Sequence, residues 1–371
     1  MQKKTFTAVF ISILAVLCWI SLQCAFIFGF KALKKFLDST ATEHIVFVRR
    51  SNLESEPGVR VLDANNPYFQ VIRMEPNRVE IDWGKTGIGL KNRCRVKMLE
   101  EQKVQVSGIL SDNKQYPITI DSGFNHSVLV SDTIVLDAGL EIYPVAESDG
   151  INGGLCNLKQ LKIGDLTIEH PPCIYKLAHY EGRKLGKTKW KEEIIALGLN
   201  LMKCFRYILI DNINHEVEFS IRDTFEPADS NEWSRYSTSL EIDNSKRERL
   251  MVDIPLAGKT RHLMLDTGSG CGLIVAKDVW KTISSELTIL KKTNIKQRMM
   301  HGFESSKEIT VQNLDVGDHQ LKNAVIYMLL NEEPCGKDFF LLGMGYFQDT
   351  VIVIDFERNL LWIKNTQQLY Q

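Results

Sequence analysis

Two short stretches of this chain carry residues that could do chemistry. In Ile118-Thr119-Ile120-Asp121-Ser122-Gly123 and in Leu263-Met264-Leu265-Asp266-Thr267-Gly268-Ser269, an apolar run delivers an aspartate onto a turn of small residues. A single Asp-Thr-Gly is an ordinary turn in which the carboxylate caps its own backbone. Two of them in one chain offer more. Carboxyls brought within a few ångströms of each other cannot both ionise easily, so one pKa rises and the pair shares a proton. Such a pair sets a general base and a general acid around one water, which hydrolysis of an unactivated amide requires. That chemistry needs no metal, cofactor or nucleophilic side chain.

The elements around the two aspartates match. Val104-Gln105-Val106 precedes the first through the turn Ser111-Asp112-Asn113-Lys114, and Met251-Val252-Asp253-Ile254 precedes the second through Gly258-Lys259. The outgoing runs Val128-Leu129-Val130 and Leu273-Ile274-Val275 both begin seven residues after their aspartate. Gly198 and Gly343, each ending an Ala/Leu-Leu-Gly run, both follow by 77 residues. The apolar runs closing on Asp211 and Asp355 end 90 and 89 residues on. Between them, turns at Gly164-Asp165 and Gly317-Asp318 are out of register by eight residues, one loop-length difference that costs little. The pattern is an internal duplication of about 110 residues. Its runs are short, rich in β-branched residues and punctuated by turns, so each half is predicted to be mostly β. Helix is expected only over residues 189–195 and 277–287.

With 371 residues, the chain has room for one large domain or two of ordinary size. Its 44% apolar and 25% charged content is that of a globular protein, and a net charge of −1 gives no electrostatic case for nucleic acid. Eight cysteines form no CxxC pair or Cys/His cluster of zinc spacing, so no metal site is expected.

Lys3 and Lys4 precede an uncharged run from Thr5 to Phe30, and Lys31, Lys34 and Lys35 follow it. A run of 26 residues is long enough to span a bilayer. Residues 1–35 therefore read as a signal anchor, a single transmembrane helix that leaves the body outside the cytoplasm (periplasmic, extracellular or lumenal). Cleavage of the segment would make the protein secreted. Residues 36–100 read as a β-rich lead-in, either a prosegment or a stalk. The first lobe is placed at 101–222, a polar linker at 223–247 and the second lobe at 248–371.

The two halves resemble the lobes of an aspartic peptidase, the superfamily that contains pepsin and the retroviral proteases. The match runs from Met251 to Ile363 in the second half and, less faithfully, from Val104 to Phe219 in the first. It implies a bilobal aspartic-protease fold of two duplicated retropepsin-like β-barrel lobes. It also implies a peptide-bond hydrolase in which Asp121 and Asp266 activate a water, with a polypeptide as substrate. Because both lobes lie in one chain, the resemblance implies a monomer. Ser122 and Thr267 would cross-link the two loops through their hydroxyls. Gly123 and Gly268 would let the loops approach, and Gly198 and Gly343 would sit in the chain crossing behind each aspartate.

Within that family Ser269 has the residue type that buttresses the carboxylate. Phe124 holds the matching place in the first loop, where pepsin-like enzymes carry Ser or Thr and retroviral ones a non-polar residue. Substrate-covering flaps fall at Asp149, Gly150 and Ile151 in the first half and at His301 and Gly302 in the second. Glu147 stands where pepsin-like flaps carry a tyrosine. Phe124 and Glu147 point to the alternative, a catalytically inactive peptide-binding or scaffold protein with the same fold.

Four smaller expectations complete the reading. Asn125-His126-Ser127 is a formal glycosylation sequon that abuts the site and is taken as coincidence. His126 and His301 are expected to be exposed loop residues. Cys156 and Cys173 are expected to touch, and Trp280 and Phe347 to be core.

Overall fold

In the strand Gln115–Asp121, side chains alternate between the two faces, as the pleat requires: Tyr116, Ile118 and Ile120 are buried and the residues between them are partly exposed. The strand Lys259–Asp266 instead buries Leu263, Met264 and Leu265 in succession. Both of its faces are covered, one by the main core and the other by Ile274, Leu329 and Leu341 packed on Met264. The computed structural model describes residues 44–47, 60–61, 69–75, 78–83, 87–90, 92–99, 104–148, 151–176, 194–243, 247–299, 302–331 and 336–364. The segment 1–35 read as a membrane anchor lies outside them. Among the described residues, no helix is long and apolar enough to cross a membrane.

The described chain is mostly β, consistent with a bilobal β fold. Two large sheets curl around the core, and a small three-stranded sheet joins His44–Phe47, Arg78–Trp83 and Phe69–Glu75. The duplication is visible strand by strand. Gln115–Asp121 runs parallel to Ile195–Gly198 with Gly198 opposite Asp121, and Lys259–Asp266 runs parallel to Phe340–Gly343 with Gly343 opposite Asp266. On the far side of each glycine-ended strand lies the outgoing strand, Val128–Ser131 or Leu273–Val275, in antiparallel register. Each outgoing strand then pairs in parallel with a later one, Cys173–Lys176 or His319–Leu329. In the second half the long strand Gly302–Val316 also bonds back at Val316 to Leu256, which closes the sheet on itself.

The closing strands of the two halves pair with each other. Tyr207–Asp211 lies antiparallel to Val351–Asp355, with Leu209 opposite Val353 at the centre. Glu216–Ser220 and Arg93–Lys97 extend this sheet on one side, and Leu360–Lys364 and Trp233–Ile242 on the other. Pairing thus crosses the position-222 boundary, so residues 207–220 share a sheet with the second half. The stretch 223–247, polar in sequence, contains the ten-residue, half-exposed strand Trp233–Ile242, paired with Leu360–Lys364 through its first half and with Glu248–Leu256 through its second. From the lead-in, Gly87–Gly89 pairs with Leu166–Glu169.

Helix is brief, but it also forms where none was expected, at Asp132–Asp137 and Leu199–Met202. Lys277–Ile283 is α-helical and Ser284–Glu286 continues it as 3-10 helix. Of the other predicted helix, residues 189–193 lie outside the described residues, and Ile195 begins a strand. The hairpin turns at Gly164 and Gly317 form with Ile163 opposite Leu166 and Val316 opposite His319, both glycines at positive φ. Trp280 and Phe347 are buried.

Candidate active site

Among the described residues, Asp121, Asp211, Asp266 and Asp355 each end an apolar strand, and local geometry separates them. Asp211 and Asp355 are turn caps: Asp211 accepts from the Asn214 N–H at 2.8 Å, and Asp355 accepts from the Arg358 N–H at 3.0 Å and its Nε at 2.6 Å. Asp121 and Asp266 also accept from their own loops. The Gly123 N–H bonds Asp121 Oδ1 at 2.9 Å, and the Gly268 and Ser269 N–H groups bond Asp266 Oδ1 at 2.9 and 3.1 Å. Unlike the other two, they face each other, each carboxyl lying against the glycine of the opposite loop.

Two reciprocal pairs of bonds tie the loops. The Ser122 N–H donates to Thr267 Oγ1 at 3.0 Å, and the Thr267 N–H donates to Ser122 Oγ at 3.0 Å. Each hydroxyl then donates across the two-fold to a strand carbonyl, Ser122 to Leu265 at 2.8 Å and Thr267 to Ile120 at 2.7 Å. Both residues are fully buried, so no water competes for these groups. A buried hydrogen bond contributes about 1 kcal/mol net, whereas burying a Leu or Ile side chain contributes about 1.5–3 kcal/mol. The cores behind the loops therefore hold the strands, and the loop bonds select how the carboxyls meet.

Glycine is required where the loops meet. A Cβ on Gly123 would lie 2.5 Å from Asp266 Cγ, and one on Gly268 would lie 2.4 Å from Asp121 Cγ. Behind each loop the crossing strand repeats the same two bonds. Gly198 and Leu199 donate to the Ser127 and Phe124 carbonyls at 2.8 and 2.7 Å, while Gly343 and Met344 donate to Gly272 and Ser269 at 2.8 Å each. Phe124 and Ser269 thus occupy matching backbone positions. Phe124 is fully buried, its ring packed against Gly198, and it supplies packing where Ser269 supplies a hydroxyl.

The two carboxyls keep a partial opening to solvent. Burial, then the Asp266 charge, then the bond to Asp266 hold the Asp121 carboxyl well above the usual carboxylate range; the Gly123 and Phe124 N–H groups oppose them. Burial also raises Asp266, but the bond from Asp121, the Gly268 and Ser269 N–H groups and the charge of Arg249 counter it. Both carboxyls are thus held above the usual carboxylate range. The titration belongs to the pair rather than to either residue.

Of the flap residues, Ile151 opens the strand Ile151–Asn157 and pairs with Ser148, and Gly302 opens Gly302–Val316 and pairs with Met299. Asp149, Gly150 and His301 lie outside the described residues. His126 departs from expectation. It is 7% exposed rather than open, because the segment after Phe124 runs beneath the crossing strand at Gly198 and the His126 ring stacks 5.3 Å from that of Phe124. Cys156 and Cys173 lie on directly paired strands with their sulfurs 3.0 Å apart, both as free thiols. Sequence reasoning missed Arg249, whose Nη1 donates to the Gly123 carbonyl at 3.0 Å. It sits in a basic run of surface-like composition, Lys246-Arg247-Glu248-Arg249, and nothing in that run marks it.

No family model matches the chain, and no curated protein matches it either. Among solved structures, the crystal structure of basic 7S globulin from soybean is similar with a TM-score of 0.41 and 12% identity, over 74% of this chain and 95% of that one.

Proposed function

We propose that this protein is an aspartic endopeptidase, built as a bilobal fold of two retropepsin-like halves that each supply one aspartate. The observation that carries the reading is the meeting of Asp121 and Asp266, each carboxyl set against the glycine of the opposite loop while Ser122 and Thr267 bond the loops together. In such a pair the charged carboxylate takes a proton from water while the neutral one protonates the substrate amide. Ser122, Thr267, Gly123, Gly268, Ser269, Gly198 and Gly343 support the geometry, and Asp149, Gly150, Ile151, His301 and Gly302 belong to the substrate-covering flaps. The substrate is an extended polypeptide. Residues 1–35 anchor the protein with its body outside the cytoplasm, and N-terminal sequencing of the mature protein tests whether that segment is retained.

The full chain is assayed on a denatured protein substrate from acidic to neutral pH, with and without pepstatin. Cleavage is expected to disappear in Asp121→Asn and in Asp266→Asn. Cleavage that survives both substitutions sinks the reading. The buried Phe124 favours a second reading, a non-catalytic peptide-binding scaffold; peptide binding without hydrolysis at any pH would select it.

A further inference from the structure

Arg249 belongs to the strand Glu248–Leu256 of the second half but reaches the loop of the first. Its Nη1 donates to the Gly123 carbonyl at 3.0 Å, and its side chain is only 17% exposed. The ladder that sets Met251 opposite Met264, continued by two residues, brings Arg249 level with Asp266. One guanidinium therefore holds the backbone of the Asp121 loop at Gly123, the residue that lies against the Asp266 carboxyl. Local carboxylate does not cancel the guanidinium charge. Asp243 accepts from Arg249 Nε at 3.3 Å and from Arg247 Nε at 3.1 Å, so one anion serves two cations. Burial, then Arg247, lower the Arg249 pKa, yet an arginine so placed stays cationic.

We propose that Arg249 is a positioning residue that decides which aspartate carries the shared proton, leaving Asp266 as the base and Asp121 as the acid. The inference rests on the hydrolase reading above. As the water oxygen bonds the amide carbon, Asp266 takes the water's proton and the Asp121 proton passes to the carbonyl oxygen. When the C–N bond breaks, Asp266 gives its proton to the amine nitrogen and a hydroxyl proton returns to Asp121, which restores the starting pair. Among the described residues, the charged groups facing Asp266 are Asp121 and Arg249, and those facing Arg249 are Asp243, Arg247 and Asp266. Seventeen residues before Asp121, the spacing of Arg249 from Asp266, the first half carries the buried Val104.

The test is the pH profile of kcat/KM for the full chain and three variants. Arg249→Gln keeps a donor for the Gly123 carbonyl and deletes the charge, so the base becomes easier to protonate. Its acidic limb is expected to move up by about half to one pH unit. Arg249→Lys keeps the charge and is expected to leave the limb in place. Asp243→Asn releases Arg249 from its counter-ion and is expected to move the limb down. Should one of the charge variants fail to fold, the other decides. The same shifts are read without turnover from carboxyl 13C titration of Asp-labelled protein. A chain that never hydrolyses peptide but shows these shifts loses the hydrolase reading and keeps the role of Arg249. Unmoved titration in Arg249→Gln or in Asp243→Asn overturns that role, whatever happens to stability.

Discussion

Ser122 and Thr267 hold each other's loop through a reciprocal pair of bonds: each backbone N–H donates at 3.0 Å to the other's hydroxyl, although the residues are 145 positions apart in sequence. Removing either hydroxyl strands a buried donor on the opposite loop. Ser122→Ala and Thr267→Val are each expected to cost about 1–3 kcal/mol in chemical denaturation. The double variant is expected to cost less than the sum, since each change already breaks the shared pair. Strict additivity in the double-mutant cycle would show that the two hydroxyls act independently.

Gly268→Ala places a methyl group 2.4 Å from Asp121 Cγ, a distance no packing adjustment of a buried loop absorbs cheaply. Overpacking of this kind costs about 1–3 kcal/mol. Under the hydrolase reading it also parts the carboxyls, and a misplacement of about 1 Å lowers turnover by roughly 100-fold. Turnover and denaturation measured on the same preparation check both effects, and an Ala variant of native activity would contradict the close approach.

The raised Asp121 carboxyl sets a pH dependence of stability. A carboxyl whose pKa rises on folding supports the fold fully below its unfolded value of about 4, and that support is lost as pH climbs through the raised folded value. Asp121→Asn carries no charge at any pH and avoids the loss. The variant is expected to resist denaturant better than the native chain near neutral pH, with the difference vanishing toward about pH 4 and below. A pH-independent difference between the two would remove burial of this carboxyl as its cause.

Phe124 is only 2% exposed and its ring fills the space beside Gly198. Phe124→Ser would give the first loop the residue type of Ser269 at the expense of that packing. The expected loss is about 3–5 kcal/mol. A Phe124→Ser protein as stable as the native one would show that the ring is not a packing element.

How much of this was legible beforehand differs from residue to residue. Ile118, Ile120, Leu263 and Leu265 announced strands by their apolar runs, because the pleat repeats every two residues and a covered sheet demands continuous hydrophobicity. Gly198 and Gly343 announced their shared role by equal spacing, and the strand registers around them match. Trp233–Ile242 was not legible, because a strand that leaves most of its side chains at least partly exposed resembles a polar connection in composition. His126 was misjudged for a similar reason: its burial comes from a strand 72 residues away that crosses above it.

What the amino-acid sequence determined by itself is the repeat: two aspartates on small-residue turns, each with its own incoming, outgoing and crossing strands. Those are local properties of periodicity and spacing, and they survive without knowledge of how the halves meet. Tertiary structure decided the rest. The joined sheet of Tyr207–Asp211 and Val351–Asp355 brings residues from both halves into one framework. The meeting of the loops sets two ordinary carboxyls against each other and raises the Asp121 pKa, since burial and charge repulsion act over ångströms rather than along the chain. The same holds for Arg249, one cation in a basic run until the fold set it against the Gly123 carbonyl.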